Sequence, residues 1–423
     1  MSATYNDKLP TLFSRLGYQL LMNDLCLWCV SAVTAIVGLN TVWRLAIEHE
    51  RMRKEELTDE DRAFAWRLVI FIIFPLVNLI DLRATTVVCE MMGGYLKQWS
   101  YGLLWYHAVP AGLTSPHLVI PVLFAGSLAT TVFALSLVPA LWFRPHPFLA
   151  TLIGYSAAFV LGLNLIADPV LSIVGLGGLR WQIAYFAGDR QQFVPLLVVH
   201  VVGAAVFVLL MRSSHVKMWF AALTRPHATA QLREALYSLE SSPYSARLVC
   251  LVGILYERAG MRGQARMQLA RMKAEFPYSP YHHFLQAIVS YSRRNYKAAQ
   301  KSFVFTSDYP YIIGELKASL LAAAACSAFA DNDVISALNL CERALEFDDA
   351  CVVARMVKVD VFLRTGKKEQ AGDELLTAMH MGLNLELEDK IPVDLERAYN
   401  LLVALEESKG RRHILQSTNK FSS

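Results

Sequence analysis

Apolar positions fall into two regimes along this chain. Over the first half they come in long unbroken runs: about Leu20 to Ile47, Leu68 to Met92, His117 to Phe143, Pro147 to Ala167 and Phe193 to Met211. Beyond residue 212 they recur at helical spacing among charged positions. A helix needs roughly 20 apolar residues to cross a bilayer core, so the runs predict five transmembrane helices. A charged segment, Glu48–Arg67, separates the first two. One further apolar piece, Pro169–Leu179, is too short to span and carries Gly175, Gly177 and Gly178. It reads as a re-entrant or interfacial segment.

Charge sharpens this division. The chain has 423 residues, 55% hydrophobic and only 18% charged. Residues 1–212 hold 14 Lys/Arg and 13 Asp/Glu, and residues 213–423 hold 26 and 23. This excludes a wholly soluble protein and excludes disorder over most of the length. The net charge of +4 is spread over both halves and gives no sign of a nucleic-acid partner. Loop cations set the expected orientation. Ten Lys/Arg fall on the side of the Arg44–Arg67 loop, Arg144 and the Arg212–Arg225 stretch, against five on the other. The richer side, with the C-terminal half, is expected in the cytoplasm of a bacterial inner (plasma) membrane protein, with the N-terminus outside. No cleavable signal peptide is evident. The first run is too long for a signal core and is followed by no small-residue cleavage site. Trp99, Tyr101, Trp105 and Tyr106 in one outer loop, and Trp181 and Tyr185 in the next, suit an interfacial belt or a ligand-binding outer face.

The second half repeats. Ala265, Ala299, Ala337 and Ala371 stand 34, 38 and 34 residues apart. Gly253 and Tyr256 precede the first, and Leu269 and Pro277 follow it. Ala287 and Tyr296 precede the second, with Phe303 and Pro310 after it. Ala325 and Ala344 flank the third. Phe362, Gly366, Leu375 and Ala378 surround the fourth. The region Ser242–Met381 resembles the tetratricopeptide repeat (TPR) family, whose period is 34 residues. The longer interval, Ala299–Ala337, predicts a longer loop around Tyr309–Glu315. Lone helical hairpins cannot bury their faces, so neighbours stack into a solenoid. Helices at Ala230–Leu239 and Leu395–Glu407 would cap it. The family resemblance implies a concave groove that binds a protein partner. Arg258, Arg262, Arg266, Arg293, Arg294 and Lys297 crowd the first two units. They are either a solvated helix face or a site for an acidic segment or lipid headgroup.

Three constellations could carry chemistry in the membrane half. Ser156, in Gly154-Tyr155-Ser156-Ala157, and His200, in His200-Val201-Val202-Gly203, are faintly similar to the serine and histidine motifs of rhomboid intramembrane proteases. That family has glycine where Ala157 stands. Such a dyad implies a histidine that takes the serine proton; the bland alternative is small-residue packing between helices. Cys26 and Cys29 form a C-x-x-C pair, a redox dithiol or two small apolar residues on one face. Asn78, Asp81, Arg83, Asn164 and Asp168 are polar residues at or near membrane depth, where they are costly and point to a functional site; the alternative is that the second span ends at Leu79 and Asp81 already meets water. The seven cysteines follow no disulfide framework. The histidines have no metal-ligand spacing, no phosphate or dinucleotide glycine loop is present, and no cofactor is expected.

The fold class that follows is all-α: a polytopic transmembrane helical domain followed by a TPR-type helical-hairpin solenoid. The expected segments are an N-terminal tail (1–19), the transmembrane domain (20–212), a linker with a capping helix (213–241), the solenoid (242–381), a C-terminal capping helix (382–408) and a disordered tail (409–423). The expected function is a membrane scaffold that recruits a soluble protein and contacts another membrane subunit, in secretion, polymer export or complex assembly. An intramembrane hydrolase using Ser156 and His200 is one alternative. A transport or polymer-handling subunit using Asp81, Arg83 and Asp168 is the other.

Overall fold

The computed structural model describes residues 8–49, 53, 57, 59–174, 181, 184, 185 and 190–381. The expected C-terminal capping helix and tail lie outside the described residues. The chain divides into two compact units, Met1–Pro226 and His227–Ser423.

The first unit is built from long apolar helices. Helix α1 spans Lys8–Ile47, so it already covers most of the segment read as an N-terminal tail. Helices α2 (Asp59–Leu68) and α3 (Phe74–Met91) join through a π-helical turn, Val69–Ile73. Next come α4 (Val119–Ala140) and α5 (Pro147–Gly162). A second π-helical turn, Leu163–Ala167, runs into α6 (Asp168–Val174). Helices α7 (Arg190–Arg212) and α8 (Ser214–Thr224) complete the unit. Among the described residues, five helices are long and apolar enough to cross a membrane: Trp28–Ile47, Glu60–Met91, Val119–Phe143, Pro147–Leu171 and Gln191–Arg212. The fourth runs past Ala167 through Pro169, so residues 168–174 continue a helix and do not form a separate re-entrant piece.

Their packing uses small residues, as bilayer helices do when lipid offers no hydrophobic drive between them. Ser31, Thr34 and Thr41 of α1 are buried, and a Cβ on Gly38 would lie 3.2 Å from the Phe71 carbonyl oxygen. Thr34 and Thr41 donate back to the carbonyls of Val30 and Val37. Gly154 of α5 leaves room for the Phe220 ring of α8, which a Cβ there would overlap. Phe64, Leu68 and Phe148 form the core between α2 and α5.

One departure from all-α is a β-hairpin. Strands β1 (Tyr95–Gly102) and β2 (Trp105–Ala111) pair antiparallel across Leu103-Leu104, with an irregularity between Leu96 and Gln98. The aromatics read as loop residues are strand residues, because Trp and Tyr fit a pleated surface well. The hairpin folds back along α3. Tyr101 Oη donates to the Pro75 carbonyl at 2.6 Å, and Asn78 Nδ2 donates to the Leu103 carbonyl at 3.3 Å.

The second unit opens with α9 (Pro226–Ser241) and continues as four helical hairpins. They are α10 (Ala246–Arg258) with α11 (Arg262–Glu275), α12 (Pro280–Ser292) with α13 (Tyr296–Ser307), α14 (Gly314–Ala330) with α15 (Val334–Phe347), and α16 (Val352–Arg364) with α17 (Lys368–His380). Side-chain caps start several of them: Ser245, Ser279, Asn295 and Asp333 each accept a backbone N–H of the first turn. The four alanines of the repeat are 0%, 0%, 0% and 3% exposed, so each second helix meets its first with no room beyond a methyl group.

The 38-residue interval holds both the expected longer loop and a longer helix: six residues, 308–313, join the second hairpin to the third, against four at 276–279 and four at 348–351. Helices α10, α12 and α16 have 13 residues each, and α14 has 17. Four residues are about one turn at 3.6 per turn. Counted back from the turn, the extra residues are 314–317 at the start of α14; the run Leu320–Ala325 that follows is made of the strong helix formers Leu and Ala and is buried throughout. A whole extra turn preserves which face looks inward.

Candidate functional site

The polar residues of the first unit form a seam across three helices. Asp81 is buried on α3 and fills the space above Gly126 of α4. Thr130 Oγ1 donates to the Gly126 carbonyl at 3.1 Å. Asn164 Nδ2 lies 2.8 Å from Thr130 Oγ1, 3.1 Å from Thr131 Oγ1 and 3.2 Å from the Ser127 carbonyl. Asn164 sits in the π-helical turn, where the widened backbone turns its side chain toward α4. Asp168 accepts from Trp181 Nε1 at 3.2 Å. Arg83 stands apart. It is exposed and lines an open apolar hollow with Leu79, Ile80, Ala84 and Val87. Residues two apart on a helix do not share a face, so Asp81 and Arg83 do not line one path.

Ser156 and His200 are not brought together. Ser156 is buried and its Oγ donates to its own helix, at the Leu152 carbonyl 2.7 Å away. His200 Nε2 lies 3.0 Å from the Leu165 carbonyl. Leu165 is nine residues beyond Ser156, roughly 13 Å along a helix axis. The ring of Trp181 packs edge-on against His200 at 4.7 Å and against Phe124 at 4.8 Å. Trp181 is buried, which removes it from an interfacial belt, whereas Trp99 and Tyr185 are exposed. Cys29 is an exposed free thiol on α1, and the side chain of Cys26 lies outside the described residues. No group of His, Cys, Asp and Glu suited to a metal occurs among the described residues.

The repeat unit has a more distinctive feature in its four hairpin turns. Gly260, Arg294, Asn332 and Gly366 all have left-handed backbones, with φ of 76°, 62°, 67° and 77°. Each turn closes in the same way. These residues donate to the carbonyls of Glu257, Tyr291, Phe329 and Leu363, and the next residues donate to Tyr256, Ser290, Ala328 and Phe362. This is the double bond pattern that ends a helix in a left-handed residue, normally glycine or asparagine. Three of the four turns obey that preference, and the second has an arginine.

The six cations gather at this turn edge. Their place there follows from the helix ends. Arg258 and Arg293 terminate the first two repeats' leading helices, while Arg262, Arg266 and Lys297 lie in the opening turns of the helices that follow. The successive first helices, α10 with α12 and α14 with α16, pack together and form the adjoining wall. Arg262, Arg266, Arg293, Arg294 and Lys297 are exposed, and Arg258 is half-buried. Glu257 lies among them. Burial raises its carboxyl above the ordinary value, against the opposing pull of Ser292, Arg262 and Arg266. Lys297 Nζ is 4.0 Å from Asp331.

The other edge, at the turns between hairpins, carries an aromatic cluster that the sequence did not advertise. The His283 ring lies 4.3 Å from Phe305 and 4.8 Å from His282, and Phe305 lies 5.8 Å from Tyr309. Burial, then the neighbouring His282, lowers the His283 pKa. Phe305 and Tyr309 come from α13 and the turn after it, so no local motif could have announced the cluster.

No family model matches the chain, and no curated protein does. Among solved structures it is similar to a tetratricopeptide repeat protein from Parabacteroides merdae ATCC 43184. The identity is 14% and the TM-score 0.33, over 64% of this chain and 98% of that one. The helical-repeat architecture rests on this chain's own four matching turns.

Proposed function

We propose that the protein is a membrane-anchored scaffold whose TPR-type repeats recruit a soluble protein partner. In this reading the repeats lie at the cytoplasmic face of a bacterial inner membrane, and the chain is a subunit of a secretion, export or assembly complex. One observation carries it: long helices with exposed aliphatic surfaces and a stack of helical hairpins share one chain. On α1 and α7, Leu39, Val199 and Leu209 are 72%, 70% and 68% exposed. Apolar area left in water costs about 25 cal/mol per Å², and contiguous patches of this kind mark a membrane or protein contact. The excess of loop cations supports the cytoplasmic placement of the repeats. The paired hairpins offer extended surface for a partner. The separation of Ser156 from the His200 contact at Leu165 gives a protease reading no support.

The test is purification of the full chain from native membranes in mild detergent, with partners identified by mass spectrometry. A parallel chain carries alanine at Arg258, Arg262, Arg293 and Arg294. A stoichiometric soluble partner, lost from the variant, is the expected result. Release of the chain from membranes by alkaline carbonate without detergent would overturn the anchoring. Purification of both forms without a partner would overturn the scaffold.

A further inference from the structure

Arg294 occupies the backbone position least suited to it. In the three equivalent turns the left-handed residue is Gly260, Asn332 or Gly366. A bulky side chain there crowds the following carbonyl, and an observed outlier of this kind is a legitimate starting point for a functional inference. Nothing in the turn itself requires arginine, because its hydrogen bonds are made by backbone atoms that glycine also has.

The helix dipole accounts for only part of the surrounding charge. Cations at helix C-termini are favourable, which explains Arg258 and Arg293. The same dipole disfavours cations at N-termini, yet Arg262 is the first residue of α11 and Lys297 the second of α13. Arg262, Lys297 and Arg294 therefore each stand against a local preference, and all three are exposed on one edge. Glu257, Asp331 and Asp333 bring opposite charge to these cations.

The pattern along the edge selects the occupant. The third turn, Asp331-Asn332-Asp333, is acidic and lies between the cationic second turn and the Lys367-Lys368 pair of the fourth. A flat anionic bilayer would meet the acidic turn along with the basic ones. A discrete acidic chain can lie across the first two turns alone. We propose that the edge formed by Arg258–Arg266 and Arg293–Lys297 docks an acidic segment of a protein partner, with Arg294 as its central contact. The proposal rests on the scaffold reading and names the chemistry of the partner.

The experiment uses the full chain in nanodiscs of zwitterionic phosphatidylcholine. Binding of a fluorescein-labelled peptide of Asp and Glu spaced by Gly is read by anisotropy, beside the same peptide with Asn and Gln. Arg294→Gly is expected to weaken acidic-peptide binding roughly tenfold, the scale of one charged hydrogen bond. It is also expected to raise the melting temperature of the repeats by about 2–4 °C through relief of the strained turn. Arg294→Asn, neutral and tolerant of the left-handed region, should behave likewise. A purely structural arginine would change the melting temperature alone. Unchanged peptide binding in both variants overturns the proposal, as does equal binding of the Asn/Gln peptide. Attachment of wild type only to vesicles containing phosphatidylserine, with no peptide bound, assigns the edge to the bilayer and also overturns it. If peptide binding fails while a stoichiometric partner is still retained in the purification above, the acidic-segment proposal falls and the scaffold reading stands.

Discussion

Asp81 on α3 occupies the space that a side chain at Gly126 on α4 would need, so that a Cβ built at position 126 would overlap the Asp81 carboxylate. Gly126→Ala should therefore cost about 1–3 kcal/mol, the usual penalty for overpacking a close contact. Thermal unfolding followed by a thiol-reactive dye at the buried Cys89 would read it. Asp81→Ala in the Gly126→Ala background should recover part of the loss. Wild-type melting of Gly126→Ala would show that the two helices do not meet this closely.

Asn164 holds α5 to α4 through three acceptors. Hydrogen bonds between membrane helices average about 0.6 kcal/mol and reach about 1.7. Asn164→Leu should lose about 1 kcal/mol on that scale. Combined with Thr130→Val, the loss should be smaller than the sum of the two single changes. Strict additivity in the double-mutant cycle would deny that Asn164 and Thr130 act together.

Gly253 and Gly372 are both helical glycines and should respond in opposite directions. A Cβ at Gly253 would lie 2.7 Å from Leu285 Cδ1, whereas nothing lies within 4 Å of one at Gly372. Gly372→Ala should stabilise the repeats by roughly 0.5–1 kcal/mol through lower backbone entropy in the unfolded chain. Gly253→Ala should destabilise them, and Leu285→Ala should relieve the clash. Denaturant midpoints of the full chain distinguish the two, and a stabilising Gly253→Ala would contradict the packing of α10 on α12.

The His283 pKa is lowered in the folded state, so the unfolded chain binds the proton more readily between that lowered value and about 6.5. Stability then falls as pH drops from about 6.5 through the folded-state pKa, and the loss is complete below it. His283→Gln should shrink the drop in melting temperature between about pH 7 and about pH 5. An unaltered pH profile would mean that His283 is not the group responsible.

Ser156 should behave as a packing residue. Its hydroxyl bonds its own helix and His200 is engaged elsewhere. A fluorophosphonate probe should leave the wild-type chain unlabelled, as it leaves Ser156→Ala. Labelling abolished by Ser156→Ala or His200→Ala would revive the dyad.

The sequence by itself determined the elements whose signal is local and periodic. Five apolar runs marked the long helices, because length and apolar composition can be read directly along the chain. The spacing of Ala265, Ala299, Ala337 and Ala371 marked the hairpins, because only a small residue fits where two helices touch at every repeat. Local pattern could not decide what depends on partners distant in the chain. Whether Asp81 met water or protein turned on Gly126, 45 residues away. The Lys97–Ser115 aromatics became a hairpin because Tyr101 and Asn78 bind each other's segments. The extra residues of the 38-residue interval could have been loop or helix, and the packed structure uses both, a longer connection at 308–313 and an extra turn of α14. The cations were legible as a cluster, but their place on the turn edge was not. The strain at Arg294 was hidden as well. A backbone angle is set by the turn the packed helices require, and no residue type announces that its own φ has been forced positive.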